Sequence, residues 1–448
     1  MIILRQQQFN ISTTLNAPQF NQLSINIKLK YNNMNFSNLF YVFCFLIVTV
    51  TTSCSNSESK EIIEIEKSQW RGDNRDGKFN ETNLLKSWTA KGPELLWFND
   101  SIGNGYGSPV ITSEKVYIQG EIDSIGYLFA FNLSGKLEWK SEYGTEWMES
   151  YIGSRSSPTV IGDLIYVCSG FGDISCFKND GSKVWSKNFL KNFNGKNTRF
   201  GFSESLLVDD SLVFASPGGI DTNIIALNRF NGELKWISKA KSEIPAYCSP
   251  ILINRNNRKI IVSFSEHELL GIDAINGNLL WSHLQDTMCD IHGNSPIYDN
   301  GFLYYVTGCG NGTVKLKLSD NCENIEQVWK TMAIDNIMGG IVKIDSLIIG
   351  TSHRKKNIRC VNANDSSFVD SLNFGRGSVI FADDLLYCYN EAGEVGLLKV
   401  FPKLELISSF KIEKGTFEHF SHPAIKNGVL YIRHGKSLMA YDIKKKQA

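Results

Sequence analysis

The chain has 448 residues, 42% of them hydrophobic, with 46 basic and 46 acidic side chains. It can bury a large core, and no net charge draws it to nucleic acid or an anionic surface. Its ten cysteines form no Cys-x-x-Cys, no Cys-x-x-Cys-His and no adjacent pair, which removes zinc ribbons, c-type haem attachment and thioredoxin-like chemistry.

The first element is Phe40 to Val50 (FYVFCFLIVTV). This apolar run has the length of a signal-peptide core and is too short for a comfortable membrane span. It ends in Thr51-Thr52-Ser53-Cys54, which resembles the lipobox of bacterial lipoproteins and implies lipidation of Cys54. Met1 and Met34 both stand as start codons. The expected organisation is an upstream segment with a lipoprotein-type signal at 1–54, a flexible tether at 55–68, and one repeat domain at 69–448. Setting aside Cys44 and Cys54 leaves eight cysteines for an oxidising compartment. Cys168 with Cys176 is the most local candidate pair, and free buried thiols are the alternative.

Downstream, one pattern recurs: a small residue, an apolar residue, Asn or Asp, a turn with Gly, then an apolar run ending in Trp. It appears as AFNLSGKLEW (130–139), CFKNDGSKVW (176–185), ALNRFNGELKW (226–236) and GIDAINGNLLW (271–281), with a looser copy ending at Trp329. Counting from Trp97, the tryptophans lie 42 to 51 residues apart, the period of a propeller blade. Degenerate copies at 360–374 and 397–410 place Phe, or nothing aromatic, where Trp is expected. In phase with this, Ser108-Pro109, Ser157-Pro158, Ser249-Pro250, Ser295-Pro296 and His422-Pro423 open apolar runs, and weaker versions bring the number of copies to eight. Each unit reads as four short strands, with Pro tolerated at a strand's first residue and Gly supplying the positive φ of the hairpin turn. The first strand, ELLWF from Glu94, lacks three partners, and the last three strands lack an outer one. Pairing them closes an all-β, eight-bladed propeller of four-stranded antiparallel blades.

These repeats, with the lead-in QWRGDNRDG (69–77), resemble the PQQ-like β-propeller repeat family. The resemblance implies that Trp97, Trp139, Trp185, Trp236, Trp281 and Trp329 dock neighbouring blades, each donating its indole N–H to a backbone carbonyl. It also raises PQQ-dependent dehydrogenation as the alternative function. Members of that enzymatic branch use a vicinal disulfide, a calcium site and an Asp base. This chain has no adjacent cysteines and no loop cluster of Asp, Asn and Glu to ligate calcium. PQQ and calcium are therefore not expected, and the catalytic and metal-site residue sets are empty. The layout is instead similar to the non-catalytic, lipid-anchored branch that includes the scaffold lipoprotein of the outer-membrane β-barrel assembly machinery. That implies a monomeric interaction scaffold in the bacterial envelope, on an outer-membrane anchor, binding envelope proteins and no nucleic acid.

In such a fold the loops entering the innermost strands ring the channel mouth. They place Tyr106, Arg155, Arg199, Tyr247, His292, Asn294, Arg376, His419 and His422 on one face. Three arginines with histidines and tyrosines can hold an anionic or sugar-like ligand. The alternative is a wet channel lining that satisfies strand-end backbone groups. His419-x-x-His422 lacks the helical register that would aim both rings at one zinc.

Overall fold

A computed structural model of the chain describes residues 65–285 and 291–446. The signal segment, Cys54 and the tether up to residue 64 lie outside them.

Apart from one short helix, Phe189–Phe193, the described elements are strands, arranged in eight antiparallel sheets. Blade 1 is Val110–Ile111, Lys115–Ile122, Ile125–Asn132 and Leu137–Thr145, and blades 2 to 7 repeat that order. Blade 8 joins Ala424–Lys426, Val429–His434 and Ser437–Asp442 to the early strand Glu94–Asn99, with Trp97 opposite Ala440. The expected closure by terminal strands is what the register shows.

Burial follows strand position. The second strand of blade 2, LIYVC, is buried throughout, whereas the outer strand of blade 1 is largely exposed. An apolar run flanked by blades on both faces needs no alternation; an outer strand needs one. The core is accordingly a ring of eight buried clusters among the described residues, one between each pair of neighbouring blades. The cluster of Ile118 and Phe131 with Tyr431 and Leu438 seals blade 1 to blade 8.

The repeated Trp has a shared local cause. In every blade the outer strand carries a bulge just before the Trp position, as between Gly271 and Ile272 opposite Trp281. A bulge turns the following side chain, and a small residue such as Ala130, Ala226 or Gly271 sits across from the ring. Five indoles donate to the next blade: Trp97 to Leu133 O (2.9 Å), Trp139 to Asn179 O (3.0 Å), Trp185 to Arg229 O (2.9 Å), Trp236 to Ala274 O (3.2 Å) and Trp329 to Ala363 O (3.3 Å). Trp281 departs from this, since its indole nitrogen is buried without an acceptor. The turn it faces has Cys322, at φ 64, where those facing Trp97, Trp139, Trp185 and Trp236 have Gly and that facing Trp329 has Ser366.

Three expectations are settled. The register places Asp370 and Ser408 at the Trp positions of blades 6 and 7, so of the two readings, Phe or nothing aromatic, the second holds; Phe374 and Phe410 lie further along the chain. Asp370 still reaches across, accepting from Leu404 N at 2.8 Å. Cys168 and Cys176 are both buried and unpaired. The tether ends before residue 68: Lys67–Ser68 already pairs with the innermost strand of blade 2, and Glu66 O accepts from Gly162 N at 2.9 Å.

Candidate functional site

The lead-in segment occupies the central channel. Ser68 runs antiparallel to the inner strand of blade 2, and Lys78 bridges in parallel to Phe381 of blade 7, so the chain enters along one blade and leaves along a different one. The turn between is closed by positive φ at Arg71, Gly72, Arg75 and Gly77. A Cβ on Gly77 would lie 2.3 Å from the Arg71 guanidinium, so glycine is required there.

Two arginines lock this plug. Arg75 donates to Ser205 O (2.7 Å), Leu206 O (2.6 Å) and Pro250 O (3.0 Å), spanning blades 3 and 4. Arg71 donates to Ile341 O (2.7 Å) and Val379 O (3.2 Å), spanning blades 6 and 7, and to His422 Nδ1 (2.9 Å) of the loop entering blade 8. Burial lowers both guanidinium pKa values to about 10. Burial, and then the charge of Arg71, also holds the His422 pKa well below its ordinary value. His422 is therefore neutral, with Nδ1 as acceptor.

Above the plug runs a belt that accounts for the Ser-Pro serines. The His422 N–H donates to Ser108 Oγ (3.1 Å), Ser108 N–H to Ser157 Oγ (2.8 Å), Ser157 N–H to Ser205 Oγ (3.0 Å) and Ser205 N–H to Ser249 Oγ (2.9 Å). Ser295 Oγ donates to Ser249 O. The hydroxyls of Ser108, Ser157, Ser205 and Ser249 each cap a strand-entry N–H of the neighbouring blade, which a buried backbone demands.

On the belt sits a cavity of about 350 Å³, to which all eight entry loops contribute. Trp70, at the tip of the plug, lies in its lining and meets His422 edge-on at 5.2 Å. One wall is an aromatic crescent. Phe420 lies 5.7 Å from Tyr106, Tyr106 6.5 Å from Tyr151, Tyr151 6.2 Å from Phe200, and Phe200 5.9 Å from Tyr247. Ile291, Ile337 and Met338 line it too, with Arg155, His353, Arg376 and Glu391.

Of the residues expected at the mouth, Tyr106, Arg155, Tyr247, Arg376 and His422 line this cavity. The other four do not. Arg199 is exposed, with its guanidinium 5.0 Å from the Phe200 ring centre. Asn294 is buried as a strap, donating to Asn336 O (2.8 Å) and accepting from Gly340 N (2.8 Å). His292 stacks on Phe264 and contacts Glu266 O at 3.0 Å through Nε2. His419 stacks on His434 at 3.6 Å and contacts Tyr389 Oη. The His419-x-x-His422 rings thus serve separate partners. Arg376 is itself spent, with Nε on Glu391 and Nη1 2.8 Å from His353 Nδ1. The three-arginine anion site reduces to Arg155, which donates to the carbonyls of Gly153 (2.7 Å) and Ser150.

Trp70, Tyr151, Phe200, Phe420 and Glu391 were missed as lining residues. A search for polar side chains passes over aromatic ones, although YIG, RFG and HFS stand in the entry loops. In the sequence Arg71 and Arg75 stand out only as part of the lead-in QWRGDNRDG.

The radial blades, Trp fastenings and plugged axis define a PQQ-like repeat β-propeller. The family model for outer membrane protein assembly factor BamB matches residues 124–371, over half of the chain, and the chain belongs to that family. No curated protein matches it. Among solved structures it is similar to BamB from Moraxella catarrhalis, at 10% identity over 78% of this chain and 100% of that one, with a TM-score of 0.56. It is also similar to the computationally designed protein Ika8, at 10% identity over 79% of this chain and 100% of that one, TM-score 0.53. Saccharomyces cerevisiae Sqt1 follows, at 11% identity over 81% and 100%, TM-score 0.50. At these identities the structures speak to fold.

Proposed function

We propose that this protein is exported, lipid-anchored through Cys54, and acts as a non-enzymatic scaffold in assembling outer-membrane proteins. The observation that carries the reading is the match to the BamB family model over 124–371, which spans most of six blades. The lipobox-like Thr51-Thr52-Ser53-Cys54 supplies the anchor, and the plugged axis leaves the blade rims and loops as partner surfaces. Two measurements test it. Metabolic labelling with a fatty acid should mark the chain and fail in Cys54→Ala. Affinity capture from solubilised envelopes should recover β-barrel assembly components; recovery of none above background counts against the scaffold.

We further propose that the protein works without PQQ or calcium. Glu391, the one carboxylate lining the cavity among the described residues, is tied to Arg376. Among the described residues no three His, Cys, Asp or Glu side chains gather as a metal site. The residues present do not fit the cofactor. Incubation with PQQ and calcium should leave the absorption spectrum flat and give no dye-linked alcohol oxidation.

A further inference from the structure

We propose that the axial cavity receives a flat apolar or aromatic group bearing one carboxylate, with the ring against the aromatic crescent and the carboxylate on Arg155. This goes beyond the scaffold reading and stands on separate observations.

The first is shape. The cavity of about 350 Å³ falls in the range of small-ligand sites. The plug locked by Arg71 and Arg75 closes it beneath, so an entering group reaches a dead end at Trp70 and sheds its water. Only a free small molecule or the end of a chain fits such a site.

The second is the crescent itself. Tyr151 is its hub, in ring contact with Tyr106, Phe200 and Phe420. It is 50% exposed and sits at φ 48. A bulky residue held in the left-handed region at a cavity mouth is a strained placement, of the kind that clusters at ligand sites. Five rings spanning five consecutive entry loops offer π faces to a flat partner.

The third is charge. Arg376 is neutralised by Glu391, and His353 is held toward neutrality by burial and then by Arg376. Arg155 has no carboxylate within ion-pair reach among the described residues, and two carbonyls leave part of its donor set unspent. The carboxyl acting most on it, Glu146, is held elsewhere by Tyr143 Oη and Gly170 N. A partly buried guanidinium facing an apolar cavity gains from a carboxylate.

Isothermal titration of the full folded chain tests this with four probes: N-acetyl-L-phenylalanine, its amide, and a Gly-Ser-Gly-Ser-Phe pentapeptide with free or amidated C-terminus. The acids should bind at least tenfold more tightly than the amides. Arg155→Gln should remove that preference, Tyr151→Ala should weaken all binding, and Arg199→Gln should match the parent. Tighter binding of the free-acid pentapeptide than of the amino acid assigns a chain terminus, and equal binding assigns a free acid. No heat with any probe, or equal affinity for acid and amide in the parent, overturns the proposal even if Arg155→Gln fails to fold. A folded Arg155→Gln that keeps the preference overturns it too. Capture of assembly components by Arg155→Gln tells failure of this site from failure of the scaffold.

Discussion

Arg71 donates to Nδ1 of His422 at 2.9 Å, joining the channel plug to the loop entering the last blade, 351 residues away. The same guanidinium holds the carbonyls of Ile341 and Val379, so one side chain fastens three consecutive blades around the axis. Arg71→Ala leaves those buried acceptors unpartnered and should cost about 2–4 kcal/mol in chemical unfolding, as should Arg75→Ala. Lysine should not restore either, since a single ammonium cannot match the planar fork. An Arg71→Ala midpoint equal to the parent's would show that the plug is not fastened this way.

Much of this was legible in the sequence because repetition supplies its own control. Copies spaced 42 to 51 residues apart by their tryptophans made the strand-only blade, the Gly turn and the closure by Glu94–Asn99 readable, while the docking role of Trp came with the family resemblance. What stayed hidden has a single-copy or register origin. QWRGDNRDG occurs once, so no periodicity marks it as the plug, and its arginines bond mostly to backbone carbonyls of distant blades, which leave no side-chain signature. In blades 6 and 7 Asp370 and Ser408 stand at the Trp position, so no aromatic marker shows the frame there. The cavity's polar residues were sought as a set, but pairing within the fold removed Arg376, and orientation removed Arg199, Asn294, His292 and His419.

The fastenings make contrasting predictions at one turn position. Gly277 sits at φ 78, and a Cβ there would lie 2.6 Å from the Trp236 ring. Gly277→Ala should therefore cost about 2 kcal/mol or more, from backbone strain and a displaced indole. Cys322 already has φ 64 without being glycine. Cys322→Gly should stay within about 1 kcal/mol of the parent, as relief of strain offsets added unfolded-state freedom. Urea unfolding of both variants checks the contrast; equal losses would refute it.

The free thiols predict chemical silence. Cys168, Cys176, Cys248, Cys322, Cys360 and Cys388 are all buried and unpaired, and burial raises their thiol pKa values. Since the thiolate is the reactive form, iodoacetamide at neutral pH should leave all six unlabelled in the native protein and modify them after denaturation. Mass mapping showing fast native labelling of Cys168 or Cys388 would contradict the packing between blades.

Glu204 gives the stability a signed pH dependence. It is buried, with Oε1 accepting from Ser216 N at 2.6 Å and Oε2 without a partner. Burial outweighs the opposing pull of that hydrogen bond and Arg75, and pushes its carboxyl up to about 7. An acid whose folded pKa exceeds the unfolded value of about 4.3 binds more protons folded than unfolded between those limits. Its contribution is thus most favourable below pH 4 and declines as pH rises toward 7. His422 acts in the opposite sense, losing stability as pH falls below about 6.5, because its neutral folded form resists protonation. Comparing parent with Glu204→Gln isolates the first term. The amide should be the more stable by about 1–3 kcal/mol at pH 8, with the difference shrinking toward pH 5. Denaturant titrations of both proteins at pH 5, 6, 7 and 8 provide the check, and a difference that grows toward acid would reverse the assignment of the buried charge.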